Sequence, residues 1–383
     1  MRDSERDDPV AVAACGYWRR RGLPTGPAQV VVAPGAPLLL LALLAAAGNG
    51  HAPGPGVLLP RPGPVWHAAQ AGLLGRAPRA VPSPAECGGV PDPFALLETV
   101  RRERSAGAAP GVLLLSVADD PSGTVAPPEL LHEVCEAAAG EGLLVVSDES
   151  WRDTVHDPHA TVVVSPAEML HAEGAGPENV VVLTALDAAP DAAEPPAAEA
   201  GTVPDGPAAG LARFPPTARG AALADGVRRV LDALGPGPLP VPAARSAAAY
   251  LADSADALRQ RAARARAYGR YADALCRTLT AAGALCRPPQ AGRHLYPDFE
   301  PLREVLAARG VTGAAALEAA LTLRLGAGVL GGHRFGDDPH ALRVRLPARA
   351  EPPDAPGALD RVEAALAGLA AGGPVPRTTG SGR

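Results

Sequence analysis

Alternating apolar runs and helical patterns from Val30 to Leu183 predict an α/β protein: a mostly parallel sheet in a large domain, with a smaller α+β domain after it. Three observations carry this expectation. The stretch Val112–Asp153, VLLLSVADDPSGTVAPPELLHEVCEAAAGEGLLVVSDESWRD, reads as a strand, a crossover helix and a parallel strand. Polar residues gather at the carboxyl ends of both strands, where open α/β sheets bind ligands. A long helix pattern from about Asp253 to Gly283 then ends the alternation, and short strands and helices follow it.

In chain order, residues 1–28 are polar and then mixed, with Gly16-Tyr17-Trp18-Arg19-Arg20-Arg21-Gly22, and read as an N-terminal arm. Val30-Val31-Val32 is a short buried strand, followed by Pro34-Gly35-Ala36-Pro37 and the apolar helix Leu38–Ala47. A strand that passes through a glycine turn into a helix aims N–H groups and the helix dipole at one point, which suits a phosphate. Proline in a first helical turn is also ordinary helix-start chemistry. Val57–Pro60 reads as the next strand, Pro62–His67 as a loop and Cys87–Asp92 as a turn-rich connection. Phe94–Arg104 is an amphipathic helix with Phe94, Leu97 and Val100 at helical spacing. In the central unit the apolar run Val112–Val117 meets a turn at Asp120-Pro121-Ser122-Gly123. A helix from Pro127 to Gly140 and the run Leu143–Ser147 follow, ending in Asp148-Glu149.

Thr161–Val164 and Asn179–Leu183 are apolar runs fit for further strands. Asp187–Gly210 is Ala, Pro, Gly and acidic residues without an apolar period, the composition of a mobile loop. Leu211–Phe214 restores a strand, Ala221–Leu234 a helix, and Pro236–Pro242 a break. Leu258, Ala262, Tyr268, Leu275 and Leu279 form the stripe of the long helix. His294–Phe299 and Leu342–Leu346 then read as strands, and Leu302–Arg309 and Gly313–Leu325 as helices. The large domain is expected over 29–250, the small one over 251–371, and a disordered tail over 372–383.

Composition limits the function. A chain of 383 residues can bury two cores, and with 3% aromatics these are built mainly from Leu, Val and Ala. A net charge of −6 gives no basic footprint for nucleic acid. Five scattered cysteines without a C-x-x-C pair read as reduced thiols, not a disulfide frame or a metal site. Leu38–Ala47 is too short to span a bilayer, and MRDSERDD lacks the form of a signal peptide, so a cytoplasmic protein is expected. All 35 Lys+Arg positions are arginine: the chain contains no lysine.

Asp120-Pro121-Ser122-Gly123 resembles the N-P-T-G turn, and Ser147-Asp148-Glu149 the S-D-E, of class I/II aminotransferases. The likeness covers roughly residues 16–365. It implies the PLP-transferase fold type I, a dimer with sites at the subunit interface, pyridoxal phosphate (PLP) or pyridoxamine phosphate as cofactor, and a small amino or keto acid as ligand. By this resemblance Asp148 pairs with the pyridinium nitrogen, so that the ring can take electrons from a substrate carbanion. Arg343 matches the arginine that grips the substrate carboxylate, with Arg345 an equally spaced rival. Gly35 and Ala36 fall at the phosphate turn. Asp120 stands for an asparagine, and Trp151 for a tyrosine, that both donate to the phenolate oxygen.

Other positions depart from the pattern. Leu183–Ala188 aligns with L-x-S-L-S-K, which puts Ala188 where the catalytic lysine belongs. That amine would form the aldimine and carry the proton, and a methyl does neither. Ala185 replaces a phosphate-binding hydroxyl, Pro196 a phosphate-binding arginine and Pro64 a ring-stacking aromatic. An aspartate at 120 would repel the phenolate it should serve. The leading expectation is an aminotransferase-like protein that has lost ordinary transamination, a homodimer or the partner of an active relative. A second reading keeps an enzyme of pyridoxamine phosphate with His67 or His156 as base beside Asp148. A third uses the carboxylates Asp119, Asp120, Asp148 and Glu149 without a cofactor.

Overall fold

The computed structural model describes residues 8–48, 56–76, 78–84, 87–173, 179–186, 209–326, 328–348 and 358–371. Its larger sheet has seven strands: β1 (Val30–Ala33), β2 (Gly56–Arg61), β3 (Arg79–Pro82), β4 (Pro110–Ser116), β5 (Leu144–Asp148), β6 (Val180–Leu186) and β7 (Ala209–Arg213). Their order is β1-β7-β6-β5-β4-β2-β3. All neighbouring pairs are parallel except those made by β7, which runs against β1 and β6. The predicted fold class is the observed one.

Central strands buried on both faces explain the continuous apolar runs. Leu113, Leu115, Val145, Val180 and Val182 pack toward one core, and Val112, Leu114, Val146, Val181 and Leu183 toward the other. The first core is covered by α1 (Pro9–Arg20), α4 (Pro93–Ser105), α5 (Pro128–Gly140), α6 (Pro166–Ala172) and α8 (Val241–Leu251). The second is covered by α2 (Ala36–Ala47), α3 (Val65–Leu73) and α7 (Ala218–Leu234). Asp92, Ser165 and Thr217 cap α4, α6 and α7 through their side chains, and proline occupies the first turn of α1, α2, α4, α5, α6 and α8.

The helix α9 (Ala255–Ala281) leads to a third core with α10 (Arg303–Ala307), α11 (Ala314–Leu325), α12 (Ala358–Ala371) and a three-stranded sheet. That sheet holds β8 (His294–Leu295), β9 (Leu330–Gly331) and β10 (Val344–Pro347) in the order β8-β10-β9.

Several expectations change. The segment read as an arm folds as α1 and buries Val10, Ala14, Tyr17 and Trp18. Thr161–Val164 forms no strand: β6 takes the place beside β5, and β-branched residues without a ladder partner stay irregular. Val65-Trp66-His67 opens α3 instead of finishing a loop. On α4 the buried stripe is Leu96, Thr99, Val100 and Glu103, while Phe94 is 81% exposed beside the Asp92 cap. Leu258 is likewise exposed on α9, where Ala265, Gly269, Ala272, Leu275, Cys276 and Leu279 face inward. The strand expected at His294–Phe299 shortens to two residues. Helices α8 and α12 and strand β9 had no counterpart in the sequence reading. The acidic segment up to residue 208 and the tail 372–383 lie outside the described residues; Ala209 and Gly210 open β7.

Candidate functional site

The carboxyl ends of β4, β5 and β6 meet the start of α2, the start of α3 and the face of β10. Asp148 ends β5 and is buried. Its Oδ2 lies 2.9 Å from His67 Nε2, and its Oδ1 accepts from the Ser150 amide at 2.9 Å and from the Ser150 hydroxyl. The same hydroxyl accepts from the Ala185 amide at 2.9 Å, tying the end of β5 to β6. The next residue faces the other way. Glu149 is 3% exposed and accepts from Arg152 Nη1 at 3.0 Å, and Arg152 also forks onto Glu168 with two bonds of 2.7 Å. Burial raises the Glu149 carboxyl above its ordinary range, although the Arg152 charge opposes the rise.

After β4, Asp119 closes its own turn. Its Oδ2 accepts from the Ser122 hydroxyl at 2.5 Å and the Ser122 amide at 3.2 Å. Burial pushes its carboxyl up to about 7, with the Ser122 bonds pulling the other way. Asp120 instead crosses to β10: Arg345 Nη1 donates to both of its oxygens, at 2.8 and 2.9 Å. The turn is docked on residues 289–294. Gln290 and Ala291 amides both donate to the Gly123 carbonyl, at 2.8 and 2.9 Å, and Gln290 Oε1 accepts from the Val125 amide at 2.9 Å.

Arg343, the residue assigned to a substrate carboxylate, is held elsewhere: Nε donates to Asp298 at 2.8 Å and Nη1 to Asp337 at 3.0 Å. Trp151 stacks on His294 with ring centroids 5.1 Å apart, over Gly292, where a Cβ would stand 1.9 Å from the indole. His156 sits with Nδ1 3.1 Å from the Pro289 carbonyl and Nε2 2.9 Å from that of Gly292, so both nitrogens face the 289–292 backbone. The bridge made by Ser150 was missed in the sequence. An Asp followed two residues on by Ser is the signature that would have found it.

Residues 11–186 match the sequence profile of the family described as aminotransferase class I and II. Over this stretch, somewhat under half of the chain, it is similar to that family. No curated protein sequence matches it. Among solved structures it is similar to a Thermus thermophilus aspartate aminotransferase mutant, at 22% identity and a TM-score of 0.70, over 94% of this chain and 86% of the other. It is similar to N-succinyldiaminopimelate aminotransferase from Mycobacterium tuberculosis at 22% identity, TM-score 0.71, over 94% and 84% of the two chains. The aromatic aminotransferase from Pyrococcus horikoshii OT3 is 17% identical, with a TM-score of 0.71 over 95% and 84%. At these identities the likeness shows the aminotransferase fold.

The resemblance read in the sequence puts a phosphate at the start of α2. Gly35 takes φ +90° there, a backbone open to glycine, but its amide already donates to the Ala33 carbonyl at 2.8 Å. Ala36 is buried and Pro37 has no N–H. Gly210 packs directly on this turn: a Cβ there would lie 2.5 Å from the Gly35 carbonyl. Gly35, Ala36, Pro37 and Ala185 offer neither a hydroxyl nor a cation to a dianion. Ala188 and Pro196 lie outside the described residues.

Proposed function

We propose that this chain is a non-catalytic member of the aminotransferase family, acting in the cytoplasm as one subunit of a homodimer or as the partner of an active relative. One observation carries the reading: the whole sequence contains no lysine. Without that amine no Schiff base can tether a B6 aldehyde, and no ammonium can shuttle its proton. The pocket supports the same view. The described residues do not fit PLP: the phosphate turn lacks hydroxyl and cation, and Asp120 places a carboxylate where a phenolate would need a donor.

Of the alternatives, the second finds His67 Nε2 2.9 Å from Asp148, while both nitrogens of His156 face backbone carbonyls. Asp119 closes a turn, and Glu149 is locked to Arg152. The test is the absorbance spectrum of the chain purified with excess PLP, before and after borohydride, beside an assay of amino-group exchange between amino and keto acids. The expected result is no reducible band fixed to a side chain and no exchange. A covalent reduced adduct, or exchange by the isolated chain, would overturn the proposal.

A further inference from the structure

The turn after β4 and strand β10 belong to different sheets, yet they meet through one ion pair. Arg345 Nη1 holds both oxygens of Asp120 at 2.8 and 2.9 Å, and the two side chains are only 16% and 14% exposed. The guanidinium carbon lies 5.0 Å from the Phe335 ring centroid. Its Nε is buried and has no hydrogen-bond partner among the described residues. A guanidinium presents five donors in a planar fork suited to a carboxylate. Here the carboxylate comes from the chain itself. The neighbouring arginine cannot stand in, since Asp298 and Asp337 engage Arg343.

We infer that Asp120 is the resident ligand of Arg345, so that this guanidinium refuses free carboxylates and the pair fastens β10 to the turn after β4. The refusal follows from charge and space together. An incoming carboxylate must displace a tethered one, and Asp120 would then stay nearby as a repelling charge. The inference concerns an anion site alone and holds whether or not the chain retains a cofactor.

Calorimetric titration of the purified full chain with succinate, in the absence of any B6 compound, tests it. The D120N variant should bind succinate about tenfold or more tightly than the wild type. The double variant D120N/R345Q should lose that gain. Far-UV circular dichroism checks folding, and D120S replaces D120N if the latter is unfolded. A second measurement needs no variant: labelling of the wild type by phenylglyoxal, mapped by peptide mass, should proceed at Arg345 at the same rate with and without succinate. Equal affinity in wild type and D120N, a gain that survives in the double variant, or protection of Arg345 by succinate in the wild type would each overturn the inference. A purely structural ion pair would change melting temperature and leave succinate binding alone.

Discussion

The ends of β4 and β5 carry the same device with opposite chemistry. Two consecutive acids stand at the end of β5 and two in the turn after β4, one of each pair meeting a residue three positions on and the other a residue far along the chain. Glu149 meets Arg152 locally, and Asp148 meets His67 from α3. Asp119 meets Ser122 locally, and Asp120 meets Arg345 from β10. At β5 the local acid has a full cation, which Glu168 shares in a partly buried three-residue network. At β4 the local acid has only one hydroxyl and one amide, both from Ser122, and burial raises its carboxyl. Equal spacing therefore yields an ion pair in one place and, in the other, an acid without a counter-charge whose carboxyl is raised by burial to about 7. The partner's charge, not the position, decides which.

The largest expected effect breaks the β5 side. Arg152→Met leaves the buried Glu149 and the half-buried Glu168 without a counter-charge and should cost about 3–5 kcal/mol in urea unfolding. A loss below roughly 1 kcal/mol would mean that the network only offsets its own desolvation. The β4 side should respond to pH instead. Burial raises the Asp119 carboxyl to about 7, so the native chain keeps a proton there that the unfolded chain has released. Its contribution is complete below the unfolded value near 4 and is lost as pH rises through the folded one. Wild type should thus lose stability relative to Asp119→Asn between about pH 4 and 7, and equal slopes for the two proteins would refute this. The smallest effect lies away from both strand ends. Phe94→Ser, at a side chain 81% exposed, should stay within about 0.5 kcal/mol of wild type in the same unfolding assay.

The sequence made the sheet legible because its strands are buried on both faces and therefore read as unbroken Val and Leu runs. It also placed Asp148 at a strand end and Asp120 in the turn after a strand. Thr161–Val164 misled because strand propensity is a property of a ladder, and no ladder was available. Phe94 misled because a helix's first turn is close to its cap, where an apolar residue can point to water. The two-residue strand β9 gave no period to detect. Of the site, the identities were readable but not the pairings. Arg343 and Arg345 differ by two residues on one strand, and only the placement of Asp298, Asp337 and Asp120 separates their roles.

The shared carbonyl of Gly123 has a mechanical consequence. With two amides of the 289–294 loop drawn to one oxygen, this point behaves as a rivet between the two sheets. Sliding one sheet over the other would strip both bonds at once, whereas rocking about the rivet would keep them. Any movement of one sheet against the other should therefore be a hinge swing and not a shear.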